Sequence, residues 1–213
     1  GSLTHELKTP LTAISGYAQT LRAAALSEED REEALTYIYE EAGRLDRLSK
    51  KMMRILELDR NTDIVFDDIP LKKLFASAAK TCAFSAARKN ITLDIGKSEG
   101  SVCGDFDLMC DVLVNLIDNA IKASRDGGTV GIYTENDCIV IEDSGCGIPR
   151  DEIRKITEPF YMVDKSRSRK SGGAGLGLAL TKLILDRHYM EMSIESEVGK
   201  GTKISIYKSF ATR

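Results

Sequence analysis

The chain has 213 residues, with no tryptophan, four prolines and two histidines. No apolar run approaches the roughly 18–20 residues that a membrane-crossing helix needs, so no such segment is expected within these residues. Scarce proline and the lack of a glycine period exclude a collagen-like chain, and a hydrophobic share of 42% excludes wholesale disorder. No sign of charge dominates: 30 Lys and Arg stand against 33 Asp and Glu, a formal net charge of −3. That balance argues against nucleic acid as the main partner, because such domains carry a basic surplus. The five cysteines (Cys82, Cys103, Cys110, Cys138 and Cys146) are odd in number and hold no CxxC pair. With only His5 and His188 to join them, a zinc cluster is poorly supplied. Reduced, packing-type thiols in a cytoplasmic setting are expected. The opening GSLTHELKTP lacks the apolar core of a signal peptide, and it opens in mid-pattern, as a piece cut from a longer protein would. Gly1-Ser2 reads equally as native or as a scar of expression.

What is present divides in two, as expected for one or two domains at this length. Residues 3–26 read as a helix whose apolar seam (Leu3, Leu7, Leu11, Ile14, Ala18, Leu21, Ala25) repeats every three or four residues. Pro10 interrupts it, at a cost of about 3 kcal/mol in a helix interior, so a kink or a compensating contact is expected there. Ser27 followed by Glu28-Glu29-Asp30 is a capped, acidic helix start. A second helix over 28–60, with its seam at Ile38, Glu41, Leu45, Leu48, Met52 and Ile55, makes an antiparallel hairpin. One hairpin leaves an apolar stripe uncovered; two make a four-helix bundle, so a homodimer is expected. Asn61-Thr62-Asp63 marks a boundary, giving a first unit over 1–60 and a second over 64–213.

In the second unit, strands are expected at 64–69, 91–95, near Val102, 129–134, 139–142, 193–195 and 203–207. Helices are expected at 71–88, 105–124 and 175–189. Interleaved strands and helices with hairpin-like strand pairs imply an α/β sandwich with a mixed sheet and helices on one face. The whole chain is then α+β: a helical hairpin, half of a dimeric four-helix bundle, followed by that sandwich.

Four clusters carry chemistry. In His5-Glu6-Leu7-Lys8-Thr9-Pro10, His5 and Thr9 share a helix face, and Glu6 lies one step round. An imidazole oriented through one nitrogen can attack through the other, while the plainer reading is an exposed histidine on a charged face. In the stretch Asn115–Ala123, Asn115 and Asn119 stack one turn apart with Lys122 on the same side. Amide oxygens suit Mg2+ and the lysine suits phosphate; otherwise this is a helix with a polar face. Asp111 lies one turn before Asn115. Asp143-Ser144-Gly145-Cys146-Gly147 follows a strand, so its carboxylate can accept an adenine amine while glycines let the backbone approach; alone it is an ordinary turn. Gly172–Ala179 opens a helix, where free N–H groups face phosphate. Its GxGxxA lies too late in the chain for a dinucleotide fold. The basic run before it, with Lys165, Arg167, Arg169 and Lys170 against Asp164, reads as a lid or as a solvated charge run.

Taken in order, these motifs resemble the catalytic core of a sensor histidine kinase of two-component systems, over essentially the whole chain. His5–Leu11 resembles the phosphoacceptor box, Asn115–Ala123 the Asn box and Asp143–Ile148 the first glycine box. Glu158–Tyr161 resembles the Phe box, Gly173–Leu178 the second glycine box and Gly199–Thr202 the closing GxGT turn. The resemblance implies a Bergerat-type ATP domain like those of Hsp90, gyrase and MutL. It implies His5 as the phosphorylated nucleophile, Glu6 as its partner and general base, and Thr9 as the residue that positions water in dephosphorylating the partner. It implies Asn115 on Mg2+, Asn119 and Lys122 on the ATP phosphates, and Asp143 on adenine N6 with Gly145 and Gly147 lining that pocket. Lys165 and Arg167 would come from the lid, Gly173, Gly175, Leu176 and Gly177 from the phosphate turn, and Thr202 would support the adenine end. It implies autophosphorylation and transfer to a response-regulator receiver domain, in the cytoplasmic part of a membrane-anchored parent whose dimer is weakened in this piece. Two departures stand out: Met162 where arginine is common and Asp111 where Glu or Gln is common. A phosphatase-dominant scaffold and an ATPase of the Hsp90 or MutL type are the alternatives.

Overall fold

The structure, a computed structural model, describes residues 2–23, 25–59, 64–163 and 175–208. Two helices come first, α1 (Ser2–Ala23) and α2 (Glu28–Asp59). α1 stops before the expected residue 26, and α2 starts where the sequence places it. The Ser27 hydroxyl accepts from the Asp30 N–H at 3.1 Å and is also 2.6 Å from the Asp30 carboxylate, a cap that satisfies an otherwise unpaired donor. α1 runs through Pro10 without a break, and Pro10 is buried. The hairpin is held by a Tyr17–Tyr37 stack with centroids 4.8 Å apart and by buried Ala34 and Leu48. Leu11, Leu35, Tyr39, Met53 and Leu56 remain exposed, so one hairpin does leave apolar surface uncovered.

The remainder comprises β1 (Asp67–Pro70), α3 (Leu71–Ala87), β2 (Thr92–Ile95), β3 (Ser101–Gly104), α4 (Phe106–Ala123), β4 (Thr129–Glu135), β5 (Cys138–Asp143), α5 (Gly177–Arg187), β6 (Met190–Glu197) and β7 (Gly201–Lys208). Five strands form one sheet in the order β2-β4-β5-β7-β6. The β2–β4 pair is parallel and the other pairs are antiparallel. β1 and β3 pair with each other apart from that sheet. The sequence expectation of a strand from 64 is therefore too long; residues 64–66 are irregular. β6 and β7 are longer than expected, because their polar alternation hides strand length that cross-strand pairing supplies.

The core lies between sheet and helices. α4 presents Leu108, Met109, Val112, Leu113, Leu116, Ile117, Ala120 and Ile121 to it, the spacing of one helical face. Asp105 caps α4 by accepting from Leu108 N–H at 2.9 Å. Leu58 of α2 belongs to the same core, so the hairpin is packed against the sandwich. Of the cysteines only Cys82 is buried, its thiol pushed up to about 11 by burial; Cys103 and Cys146 are exposed, contrary to a purely packing role. Among the described residues no helix is long and apolar enough to cross a membrane.

Candidate active site

Register brings one end of the site together. Asp143, the last residue of β5, pairs with Thr202 at the start of β7, and Thr202 pairs with Ser196 of β6. Asp143 is buried, and its Oδ1 accepts from the Gly145 N–H at 2.8 Å. Burial pushes its carboxyl above the usual range, partly opposed by backbone N–H donors of Gly145 and Thr202. Thr202 Oγ1 shares a 2.9 Å hydrogen bond with Ser196 Oγ. Ser196 Oγ also accepts from Ile148 N–H and donates to the Gly201 carbonyl, each at 2.8 Å. Ser196 thus pins the Asp143–Ile148 turn against β7. No sequence motif marks it; only the register does. Gly147 has φ +67°, and a Cβ there would run into the Glu197 carbonyl, so only glycine lets these two turns touch. At Gly145 a Cβ would meet Asp143 Oδ1 at 2.7 Å.

The other end is built by α4 and α5. Asn115 and Asn119 are half-buried on one side of α4. Lys122 pairs with Asp118 at 2.6 Å. Gly175 has φ +66° and sits against the backbone of Phe160 and Tyr161, whose turn is tied to it by Phe160 N–H donating to Gly175 O at 2.9 Å. Helix α5 therefore begins at Gly177, two residues later than its expected start, and ends at Arg187 rather than 189. Leu176, at its N-cap, is buried and offers no side-chain cap, so among the described residues no capping side chain takes the helix's first N–H groups. Gly177 leaves room beside Asn115: its Cβ would lie 3.5 Å from Asn115 Oδ1. Lys165, Arg167 and Gly173 lie outside the described residues, as does the 61–63 boundary.

The hairpin supplies a third element. His5 is exposed on α1. Thr9 Oγ1 donates to the His5 carbonyl at 3.1 Å. Glu6 is paired across the hairpin: its carboxylate lies 3.5 Å from Arg44 on α2, which is buried and also 3.6 Å from Glu41. The physical reason is charge, since a buried guanidinium needs a nearby carboxylate more than an exposed imidazole does. His188 is buried, its Nε2 accepting from Asp105 N–H at 3.0 Å and its Nδ1 lying 2.7 Å from the Ile184 carbonyl. It is a structural histidine, which leaves His5 as the exposed one.

α2 also reaches α4. Lys51 Nζ donates to Asn115 Oδ1 at 3.1 Å, and Arg54 lies 3.6 Å from the Asp111 carboxylate. Burial, with Lys122 next, lowers the Lys51 ammonium below its ordinary value. Burial raises the Asp111 carboxyl, with Arg54 opposing. Lys51, Arg54, Arg44 and Ser196 are the site residues that sequence reasoning missed.

A mixed sheet backed by helices, with a buried carboxylate at one rim and a helix N-terminus at the other, joined to a hairpin bearing an exposed histidine, outlines a candidate nucleotide site coupled to a candidate phosphoacceptor hairpin. Comparison with known proteins agrees. Residues 104–212 match the histidine kinase-, DNA gyrase B- and HSP90-like ATPase family, and residues 1–61 match the His Kinase A phospho-acceptor domain. The chain belongs to the sensor histidine kinase family.

Sensor histidine kinase YkoH of Bacillus subtilis (strain 168) is 33% identical over 205 residues, which is 95% of this chain and 45% of that protein. Sensor protein kinase WalK of Staphylococcus aureus is 33% identical over 213 residues, 96% of this chain and 51% of that protein. The chain thus spans about half the length of these curated relatives. Among solved structures, the Acinetobacter baumannii histidine kinase AdeS has TM-score 0.72 at 19% identity, covering 97% of this chain and 98% of that one. Histidine kinase ThkA, solved in complex with response regulator protein TrrA, has TM-score 0.75 at 22% identity, covering 96% of this chain and 58% of that one. At these identities the structures speak for the fold.

Proposed function

We propose that this chain transfers the γ-phosphoryl group of ATP to His5 and then to an aspartate of a response-regulator receiver domain. In the first step an N–P bond forms at the imidazole as the bond from Pγ to the bridging oxygen breaks, and ADP leaves. In the second the N–P bond breaks as the receiver carboxylate takes the phosphoryl group. The observation that carries the reading is the coexistence, in one chain, of an exposed His5 with the Asp143–Thr202 rim and the α5 N-terminus.

Asp143 would accept from the adenine amine, with Gly145, Gly147 and Thr202 shaping that end. Gly175, Leu176 and Gly177 would present backbone N–H groups to phosphate, and Asn119 and Lys122 would bear on the same groups. Asn115 fits a metal ligand, because its Oδ1 already faces a cation, the Lys51 ammonium. Mg2+ held there would neutralise phosphate charge. His5 supplies the attacking nitrogen, and Glu6 can serve it once released from Arg44. We take residues 1–60 as the phosphoacceptor unit and 64–213 as the ATP unit. The parent would be a homodimer whose cytoplasmic portion this is, anchored to a membrane by segments within the extra length seen in its relatives.

Dephosphorylation of the same regulator is favoured by one observation: the Thr9 hydroxyl sits one turn from His5, tied to the His5 carbonyl. Loss of regulator dephosphorylation in Thr9→Ala, with autophosphorylation intact, is the expected result. For the main reading, incubation with γ-labelled ATP should give acid-labile, base-stable label on the protein. Unchanged labelling of His5→Ala would defeat it, and the burial of His188 keeps that test clean.

A further inference from the structure

The second helix of the hairpin lies on the nucleotide side of the sandwich, and it does so through polar contacts that the proposed chemistry does not need. Lys51 and Arg54, about one turn apart on α2, face Asn115 and Asp111, one turn apart on α4. The Lys51 ammonium is 3.1 Å from Asn115 Oδ1. A Cβ on Gly177 would lie 3.7 Å from the same ammonium, so Lys51 also stands beside the first residue of α5. Two turns further along α2, Leu58 is buried in the core of the sandwich, and Arg187 Nη1 donates to the Leu58 carbonyl at 3.2 Å. This is a continuous seam, and its first contact falls on the atom assigned to the metal.

We propose that Lys51 is a built-in competitor of that metal: its ammonium holds the cation position at Asn115, so loading Mg2+ with nucleotide requires this part of α2 to let go. The proposal rests on the reading of Asn115 as a metal ligand. One amide oxygen can present lone pairs to two donors, but an ammonium and a divalent ion at contact distance repel strongly. Around Lys51 the positive charges of Lys122 and Arg47 are set against the carboxylates of Asp118 and Asp111. The ammonium is bonded to the Asn115 oxygen and also stands near the first residue of α5, so the test has to separate a metal competitor from a phosphate ligand. Arg54 on Asp111 holds the same stretch of helix in place without touching Asn115. By linkage, whatever free energy the seam gains from Lys51 is lost from metal–nucleotide affinity, and the reverse. Nucleotide loading would then free this part of the hairpin.

The test is calorimetric binding of AMP-PNP to the whole chain, with Mg2+ and with EDTA. The unaltered protein is compared with Lys51→Ala, Arg54→Gln and Asn115→Ala. Lys51→Ala should bind the magnesium complex about fivefold or more tighter, with metal-free binding unchanged or weaker. Arg54→Gln should shift the magnesium complex in the same direction by less. Equal or weaker binding of the magnesium complex by Lys51→Ala would overturn the proposal, marking Lys51 as a bystander or a phosphate ligand. Should circular dichroism show Lys51→Ala unfolded, Arg54→Gln decides, and no tightening there overturns it. A different failure has a different signature: if magnesium adds nothing to binding by the unaltered chain, or Asn115→Ala keeps the magnesium increment, the metal-ligand reading falls and the competitor falls with it.

Discussion

Asp143 carries two opposed demands. Burial raises its carboxyl above the usual range, and that effect outweighs the Gly145 and Thr202 backbone donors. Between the ordinary value and the raised one, the folded protein therefore holds more proton than the unfolded chain, so stability falls as pH rises through that window. An adenine amine donating to Asp143 favours the ionised form. Nucleotide affinity should accordingly weaken as pH falls through the same window. Asp143→Asn should flatten both slopes, the first followed by thermal melts across pH and the second by ATP titration. Asp111, raised in the same direction, leaves a residual stability slope. The Asn variant should also bind ATP about 10- to 100-fold more weakly, since the adenine amine then donates to a neutral amide oxygen or faces the amide NH2 instead of a carboxylate. ATP affinity equal to that of the unaltered chain would remove Asp143 from the adenine site. Gly147 is the strictest position in the turn: Gly147→Ala should destabilise by at least about 1 kcal/mol through left-handed strain and the clash with Glu197, read by denaturant melting. Both residues were legible from their motif, because a carboxylate at a strand end followed by spaced glycines is a local pattern. Ser196 was not, because its importance lies in meeting Ile148 and Thr202 across turns and strands.

At the scale of elements, α4 was the easiest to read and α5 the hardest to bound. The apolar spacing of α4 is that of a single helical face, and every buried residue on it follows from that period. Leu113, fully buried, should cost about 2–5 kcal/mol when cut to alanine, measured by denaturant unfolding. The α5 boundary shifted because Gly175 takes a left-handed φ and packs on Phe160, a tertiary contact that turns a helical-looking glycine into a loop residue. Helix α1 gives a third case. Pro10 lies inside it and removes the donor that the Glu6 carbonyl would have received. Pro10→Ala should stabilise α1 by up to about 3 kcal/mol and increase hydrogen-exchange protection around Glu6. If that softness serves the movement of His5, phosphorylation should slow in the same variant. Unchanged labelling would assign Pro10 to packing alone.

For the whole molecule, the proposed homodimer would bury the exposed apolar residues of the hairpin. Leu11 is 53% exposed and lines a groove with Thr4, Leu7, Lys8, Thr12 and Ser15. Leu11→Glu should weaken self-association, seen as a shift toward monomer in sedimentation velocity, while leaving nucleotide binding intact. An unshifted dimer would place the interface elsewhere. The order of motifs, the helix periods and the single exposed histidine's neighbours are properties of the sequence, because capping, periodicity and turn chemistry act over a few residues. They determined the α+β architecture and the family, and they single out the residues of the proposed site. Which polar residues meet across elements was decided only by the tertiary structure. Glu6 faces Arg44, 38 positions away, and Lys51 faces Asn115, 64 positions away. A helix period tells which face is apolar. It does not tell which cation from another helix will lie over an amide oxygen, because that depends on how Leu58 seats α2 in a core built by strands and helices far along the chain.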